Sequence, residues 1–200
     1  MEPPIIHSIF TIGRHCAADY LVNDMYIRGY SSPFSWMNID LETSLHFIKT
    51  RFQDFTDVIR SSAIKNENGV YDFTHKNYPF NGWDRICLWS HHDLSDSTVV
   101  ESLKRRAHRL MSCLNYSSTL LLYYDKIAHP IEFYRSLVDP FTQEYPARIL
   151  VICPSENEPA ILYQSDALCV ISGSRGLNRL LNFIYTFNII PRPTSRSIPQ

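Results

Sequence analysis

Cys16 occupies the position in the sequence that is best suited to nucleophilic chemistry. It follows residues 5–12, whose β-branched and aromatic side chains predict a strand, and it precedes residues 17–27, whose apolar spacing predicts a helix. A thiol at the start of a helix lies beside backbone N–H groups that stabilise a thiolate and donate hydrogen bonds to an oxyanion during acyl transfer. An unreactive cysteine packed in the first helical turn explains the position equally well, so position alone leaves both interpretations open.

His91, His92 and Asp93 form a second group of reactive residues, at the end of another predicted strand, residues 84–90. If the two strands share an edge, a histidine of this group accepts the proton of the Cys16 thiol and forms a thiolate–imidazolium pair. Neighbouring residues on a strand point to opposite faces, so we expect only one of the two histidines to do so. The alternative is that both histidines are loop residues and that Asp93 caps a turn.

Metal and cofactor sites are not predicted. Three histidines (His75, His91 and His92) are candidate ligands, but no second motif stands at ligand spacing. The five cysteines are odd in number and include no C-x-x-C pair, which argues against a disulfide framework and a zinc site (Cys16, Cys87, Cys113, Cys153 and Cys169). The chain also lacks H-E-x-x-H, G-x-S-x-G and the glycines of a dinucleotide fingerprint.

The later elements must provide the scaffold for these residues. Thr98 and Glu101 match a capping box, which predicts a helix from there to Leu114. Apolar strands alternate with further helices after it: strands 119–124, 147–153 and 167–172, and helices 130–138 and 176–187. This alternation predicts an α/β layered fold with a mainly parallel central sheet flanked by helices.

Composition and charge exclude several classes of protein. The chain has 200 residues, 44% of them apolar, which predicts a single α/β domain over residues 1–190 and a flexible C-terminal tail over residues 191–200. A net charge of −1 argues against nucleic-acid binding. The longest apolar runs have about eight residues, too few for a membrane span, and the N-terminus lacks a signal peptide, so we expect a cytoplasmic protein. The oligomeric state stays open.

The order of these motifs resembles a known family. Gly13-Arg-His-Cys16, Pro33-Phe-Ser-Trp-Met37, Ser90-His-His-Asp93 and Lys104-Arg-Arg106 together resemble the bacterial family catalogued as papain-like cysteine peptidases of unknown function. The resemblance covers most of residues 5–125. It implies that Cys16 is the nucleophile, that His92 is the base and that Asp93 is the acidic residue beside it.

The same resemblance points to substrate-binding residues and to two departures from the family pattern. We expect Ser35, Trp36 and His91 to contact the substrate. Ser35 stands where the family usually has aspartate before the tryptophan, and Tyr124 lies in a segment that replaces the usual valine–arginine strand end. Either change predicts altered specificity or lost activity.

The sequence therefore predicts a cysteine-dependent hydrolase or acyl transferase that acts on a peptide or a sugar-linked small substrate. Asp93 orients His92 in this hypothesis, and Asp19, one helical turn from Cys16, is the alternative acid. Two other functions stay open: a catalytically silent binding module, and a sugar- or nucleotide-handling transferase linked to surface polysaccharide. A papain-like α+β fold, with the histidine on an antiparallel sheet, is the alternative architecture.

Overall fold

The computed structural model describes residues 5–13, 16–25, 31–60, 71, 73–76, 93–116, 118–173 and 176–190. These residues form seven strands: β1 (Ser8–Thr11), β2 (Val58–Arg60), β3 (Phe73–His75), β4 (Thr119–Tyr124), β5 (Arg148–Pro154), β6 (Ala160–Gln164) and β7 (Leu168–Gly173). They also form five helices: α1 (Ala17–Asp24), α2 (Leu41–Lys49), α3 (Ser97–Cys113), α4 (Ile131–Glu144) and α5 (Leu177–Thr186).

Five strands form one mostly parallel sheet in the order β1-β4-β5-β7-β6. β1, β4, β5 and β7 are parallel, and β6 pairs antiparallel with β7 at the edge. The predicted α/β layered fold is confirmed, and the described residues do not form the alternative α+β arrangement. The inner strands are continuous apolar runs because helices cover both of their faces. β2 and β3 form a separate antiparallel pair.

The helices divide between the two faces of the sheet. α1 and α5 pack on one face, where Leu21 and Ile184 meet strand residues such as Leu122. α2, α3 and α4 pack on the other face, where Phe47 and Val138 belong to a second apolar cluster. The helix after β1 therefore lies on the opposite face from the helix after β4, although the two strands are hydrogen-bonded neighbours. Such a switch opens a crevice at the carboxyl ends of the strands, where ligands bind in open α/β sheets.

Several local expectations differ from the structure: α1 ends at Asp24, before the predicted end at residue 27, and β1 is shorter than the predicted residues 5–12. α3 begins at Ser97, and its N-cap is Asp96, whose carboxylate accepts the Thr98 N–H, so the predicted capping box is wrong. Asp96 is the better cap because its short side chain reaches the second N–H of the helix. α4 continues through Pro140 to Glu144, beyond the predicted end at residue 138, because Phe141 adds a fully buried ring.

The apolar spacing of residues 41–52 predicts a helix that ends at Phe52, but α2 ends at Lys49, because Arg51 and Phe52 have left-handed backbones that a helix excludes. β6 was not predicted, since its exposed edge gives it no continuous apolar run. Two further expectations lie outside the described residues: the strand over residues 84–90 and the tail over residues 191–200. Among the described residues, no helix is long and apolar enough to cross a membrane.

Candidate active site

Cys16 is exposed at the N-terminus of α1, beyond the carboxyl end of β1. It occupies the N-cap position, its carbonyl accepts the Tyr20 N–H at 3.1 Å, and its side chain makes no capping hydrogen bond. The Cys16 sulfur therefore does not cap the N-terminus of α1. The first N–H groups of a helix have no intrahelical acceptor, so this end of α1 is suited to stabilise negative charge on a thiolate or an oxyanion.

Gly13 shapes the chain between β1 and Cys16. Its φ of +104° is a conformation that side chains rarely adopt, and a Cβ there would lie 2.7 Å from the Ile39 carbonyl oxygen. The neighbouring Ile12 carbonyl accepts a hydrogen bond of 2.7 Å from the Ser44 hydroxyl of α2. The backbone that leads to Cys16 is thus packed against α2 and the segment before it, which fixes where the thiol emerges.

Asp19 lies one helical turn after Cys16 and organises a partly buried polar cluster. The Thr11 hydroxyl donates to its Oδ1 at 2.8 Å, and the Trp36 backbone N–H donates to its Oδ2 at 2.9 Å. The Ser35 hydroxyl lies 3.3 Å from that of Thr11 and accepts the Ser32 N–H at 3.0 Å. One carboxylate of α1 therefore connects the end of β1 to the segment that carries Ser35 and Trp36.

Trp36 is held in a strained conformation beside this carboxylate. Its φ is +64°, which is unusual for a bulky residue, and its ring packs edge-on against Tyr20 with centroids 5.3 Å apart. Strained backbone persists only where its surroundings impose it, and it clusters at functional sites. The hydrogen bond to Asp19 is one such constraint.

Burial raises the pKa of Asp19 above its usual value of 3.8. The Trp36 N–H, the Thr11 and Ser35 hydroxyls and the charge of Arg106 act in the opposite direction and lower that pKa. Arg106 is half-buried on α3, and burial, followed by repulsion from Arg109 and Arg105, lowers its own pKa. α3 thus brings positive charge towards the acid that lies beneath Cys16.

The structure brings together some of the predicted site residues. Ser35 and Trp36 lie around Asp19, one turn from Cys16. Asp93 lies just before α3, where its Oδ1 accepts the N–H and the hydroxyl of Ser95 at 3.0 and 2.6 Å, so it does cap a turn. His91 and His92 lie outside the described residues, and their distances to Cys16 stay predictions.

The sequence does not predict two features that the structure shows. The run Lys104–Arg109 predicts a solvated basic face, but Arg106 is half-buried and its charge acts on Asp19. The run of charges does not predict the partial burial of Arg106. Its only signal in the sequence is the three-residue spacing from the buried Leu103, which places Arg106 at the edge of the packed face of α3.

The second missed feature is a buried network at the carboxyl end of β4. Tyr134 donates its hydroxyl proton to Asp125 Oδ2 at 3.0 Å, and the Cys153 thiol lies 3.2 Å from the same hydroxyl oxygen. The Lys126 and Ile127 N–H groups donate to the other carboxylate oxygen of Asp125. Asp125 is 1% exposed, so this network holds β4, α4 and β5 together.

The part of the chain that the structure describes was predicted to hold no metal centre, and its potential ligands can be compared with that expectation. No group of three histidine, cysteine, aspartate or glutamate side chains is arranged there to hold an ion. His75, one of the three histidines considered as ligands, is buried, and its Nε2 lies 2.6 Å from the Asp54 carbonyl oxygen.

The family model described as "Putative papain-like cysteine peptidase (DUF1796)" matches residues 7–152. The matched region runs from just before β1 into β5 and includes the candidate site residues Cys16, Asp19, Ser35, Trp36, His91, His92, Asp93 and Arg106. No curated protein and no solved structure matches the chain.

Proposed function

Because this chain belongs to the family "Putative papain-like cysteine peptidase (DUF1796)", we propose that it is a cysteine-dependent hydrolase or acyl transferase with Cys16 as its nucleophile. One observation carries the proposal. The exposed thiol of Cys16 lies at a helix N-terminus, beyond the carboxyl end of β1, where the helices that follow the neighbouring strands β1 and β4 lie on opposite faces of the sheet. This is where open α/β sheets bind ligands, and a helix start stabilises a thiolate.

Cys153 and Cys169 are poorer nucleophiles than an exposed thiol. Burial raises the pKa of Cys153, and it raises that of Cys169 to about 12. Both thiols therefore stay protonated at neutral pH, and the thiolate is the reactive form. Exposure and position at a helix start distinguish Cys16 from them.

In the proposed reaction, the Cys16 thiol has given its proton to the His92 ring, and the thiolate Sγ attacks the carbonyl carbon of a peptide-like substrate. N–H groups at the start of α1 donate hydrogen bonds to the oxygen that becomes negative. The tetrahedral intermediate then expels the amine, which takes the proton from His92, and leaves an acyl group on Cys16. Water hydrolyses this thioester, or an amine or alcohol accepts the acyl group.

Two acidic residues have different proposed roles. Asp93 orients His92, which precedes it in the sequence. Asp19 positions Ser35 and Trp36 through its network of hydrogen bonds and keeps Trp36 beside the substrate. Arg106 makes no hydrogen bond or ion pair with another described residue, so we propose that its guanidinium favours substrates with a negatively charged group near the scissile bond.

The proposal is tested by alkylation of Cys16 with iodoacetamide across pH, with the adduct located by mass spectrometry. We expect rapid labelling at pH 6 that is lost in His92→Ala, because an imidazolium partner keeps the thiol ionised below its usual range. His7→Ala is the matched control, since His7 is exposed and lies before β1, and it should leave the rate unchanged. The half-buried Cys113 serves as an internal reference thiol.

Labelling of Cys16 at the rate of an ordinary thiol, unaffected by His92→Ala, would contradict the proposal and favour a silent binding module. If Cys16 is activated, peptide amides and acylated sugars are then compared as substrates. Turnover of the peptides alone would agree with the proposed peptide-like substrate. Turnover of the acylated sugars alone would show that this substrate class is wrong.

A further inference from the structure

A cleft of about 670 Å³ lies between α3 and the loop that follows α2. Its volume is within the range of roughly 300–1,000 Å³ that small-molecule sites have. Phe52, Phe55, Ala107, Met111 and Tyr145 provide the apolar and aromatic part of its lining. No part of the function proposed above uses this cleft.

The two walls of the cleft carry charges of opposite sign. Asp54 and Asp57 lie on the loop wall, and Lys104 and His108 lie on the α3 wall, one helical turn apart. Arg51 stands on the loop side, so two acidic and two strongly basic side chains line the cleft. Equal charge of both signs disfavours a simple anion or cation and favours a ligand with a charge of each sign at its two ends.

The loop wall is preformed. Arg51, Phe52 and Asp54 have left-handed backbones, with φ of 53°, 60° and 58°. The Asp54 carbonyl lies 2.6 Å from Nε2 of the buried His75, and Phe52 packs against Phe55 with ring centroids 5.2 Å apart. A rigid wall reduces the entropy that binding would otherwise cost.

Most of the charged groups have no partner within the described part of the chain. The side chains of Arg51, Asp54, Asp57 and His108 make no hydrogen bond or ion pair with another described residue. Lys104 pairs only with Glu101, and both of these side chains are well exposed. An exposed pair of this kind is weak, so Lys104 is able to exchange its partner for a ligand carboxylate.

We infer that this cleft is a binding site for a short peptide with free termini, or a molecule of the same zwitterionic class. Its ammonium group pairs with Asp54 and Asp57, its carboxylate pairs with Lys104 and His108, and an apolar side chain lies on Phe52, Phe55 and Met111.

The cleft is separate from the candidate active site. Residues 104 and 108 are on one side of α3, whereas residue 106, two positions from the first, is on the opposite side of the helix. Arg106 acts on Asp19 electrostatically, so α3 stands between the two sites. Binding in the cleft therefore does not depend on Cys16 being reactive.

The test is isothermal titration of the Cys16→Ala protein, which cannot form an acyl-enzyme, with a leucine tripeptide in three forms: free, N-acetylated and C-amidated. We expect the free form to bind tightest and each blocked form to bind about fivefold more weakly, the size of one partly exposed ion pair. The double variant Asp54→Asn with Asp57→Asn should weaken the free peptide by a similar factor and leave the acetylated peptide unchanged. Asparagine tolerates the left-handed backbone at position 54, so the wall should keep its shape.

The double variant Lys104→Gln with His108→Gln should weaken the free peptide and leave the amidated one unchanged. Arg105→Gln is the matched control, because Arg105 is exposed on the same helix but does not line the cleft. Equal affinity of the three peptides, or no heat of binding at millimolar concentration, would overturn the inference. Neither result would bear on the alkylation of Cys16, so the two proposals fail independently.

Discussion

At the scale of single residues, Asp19 has the clearest electrostatic consequence. It is partly buried beneath Cys16, and burial raises its pKa even though Trp36, Thr11, Ser35 and Arg106 all act to lower it. The folded protein therefore holds the Asp19 proton more tightly than the unfolded chain does. Its contribution to stability is complete below about pH 3.8, and it is lost as pH rises through the folded value.

Asp19→Asn should remove this dependence on pH. The amide resembles the protonated carboxyl, and the Thr11 hydroxyl can rotate to accept its N–H while Trp36 still donates to its oxygen. The free energy of unfolding of the variant, relative to the wild type, should therefore increase between pH 4 and pH 7. Urea denaturation at several pH values measures it.

Asp24→Asn is the matched control for this measurement, because Asp24 is exposed on the same helix. It should change stability by nearly the same amount at each pH. If Asp19→Asn behaves like Asp24→Asn, the Asp19 carboxylate is not penalised by burial and the pKa argument fails.

At the scale of elements, two helices near the site, α2 and α3, begin at aspartate residues whose side chains cap them. Asp40 is the N-cap of α2, and its side chain accepts the Thr43 N–H at 2.7 Å. α2 carries Ser44, whose hydroxyl donates to the Ile12 carbonyl just before Gly13. The cap of α2 thus supports the turn that leads to Cys16, although it touches neither the thiol nor the crevice.

Asp40→Ala should lower the free energy of unfolding by about 1 kcal/mol, the usual loss for a helix cap. Asp40→Asn is the control, since asparagine caps helices as well as aspartate does, and it should keep wild-type stability. Thermal denaturation followed by circular dichroism measures both. Equal loss in the two variants would mean that the charge of Asp40, and not its capping hydrogen bond, stabilises the protein.

The same scale shows which elements a sequence predicts well. Strands β4 and β5 were predicted to within one residue at each end, because burial on both faces makes them continuous apolar runs. The sequence predicts the start of α3 at the wrong residue, since Asp96 and Thr98 are both good caps and only the backbone conformation decides between them. The end of α2 depends on left-handed residues that no apolar pattern predicts.

At the scale of the whole molecule, the polar network of Asp125 connects two strands and a helix inside an apolar core. Tyr134 is fully buried, and burial raises its pKa, so its hydroxyl stays protonated and donates to Asp125. The His129 N–H donates to the same hydroxyl oxygen at 3.2 Å. A buried carboxylate is tolerated here because all of these donors are supplied by the folded chain.

Tyr134→Phe should lower the free energy of unfolding by about 1–3 kcal/mol, because the Asp125 carboxylate loses a donor that water cannot replace. Tyr163→Phe is the matched control: Tyr163 is half-buried on the edge strand β6, and its hydroxyl has no hydrogen bond to another described residue. Tyr163→Phe should lower the free energy of unfolding by less than about 0.5 kcal/mol. Similar losses in the two variants would show that the network adds nothing to stability.

The sequence by itself determined the layered α/β architecture, the family, and Cys16 at a strand-to-helix junction. Apolar runs, helical spacing and short motifs are local, and local patterns are readable along one chain. Only the tertiary structure decided that α1 and α4 follow neighbouring strands but lie on opposite faces of the sheet, with Cys16 beyond the end of one of these strands. It also decided that the charge of Arg106 acts on Asp19, because this electrostatic effect depends on how the helices pack on the sheet and not on their spacing in sequence.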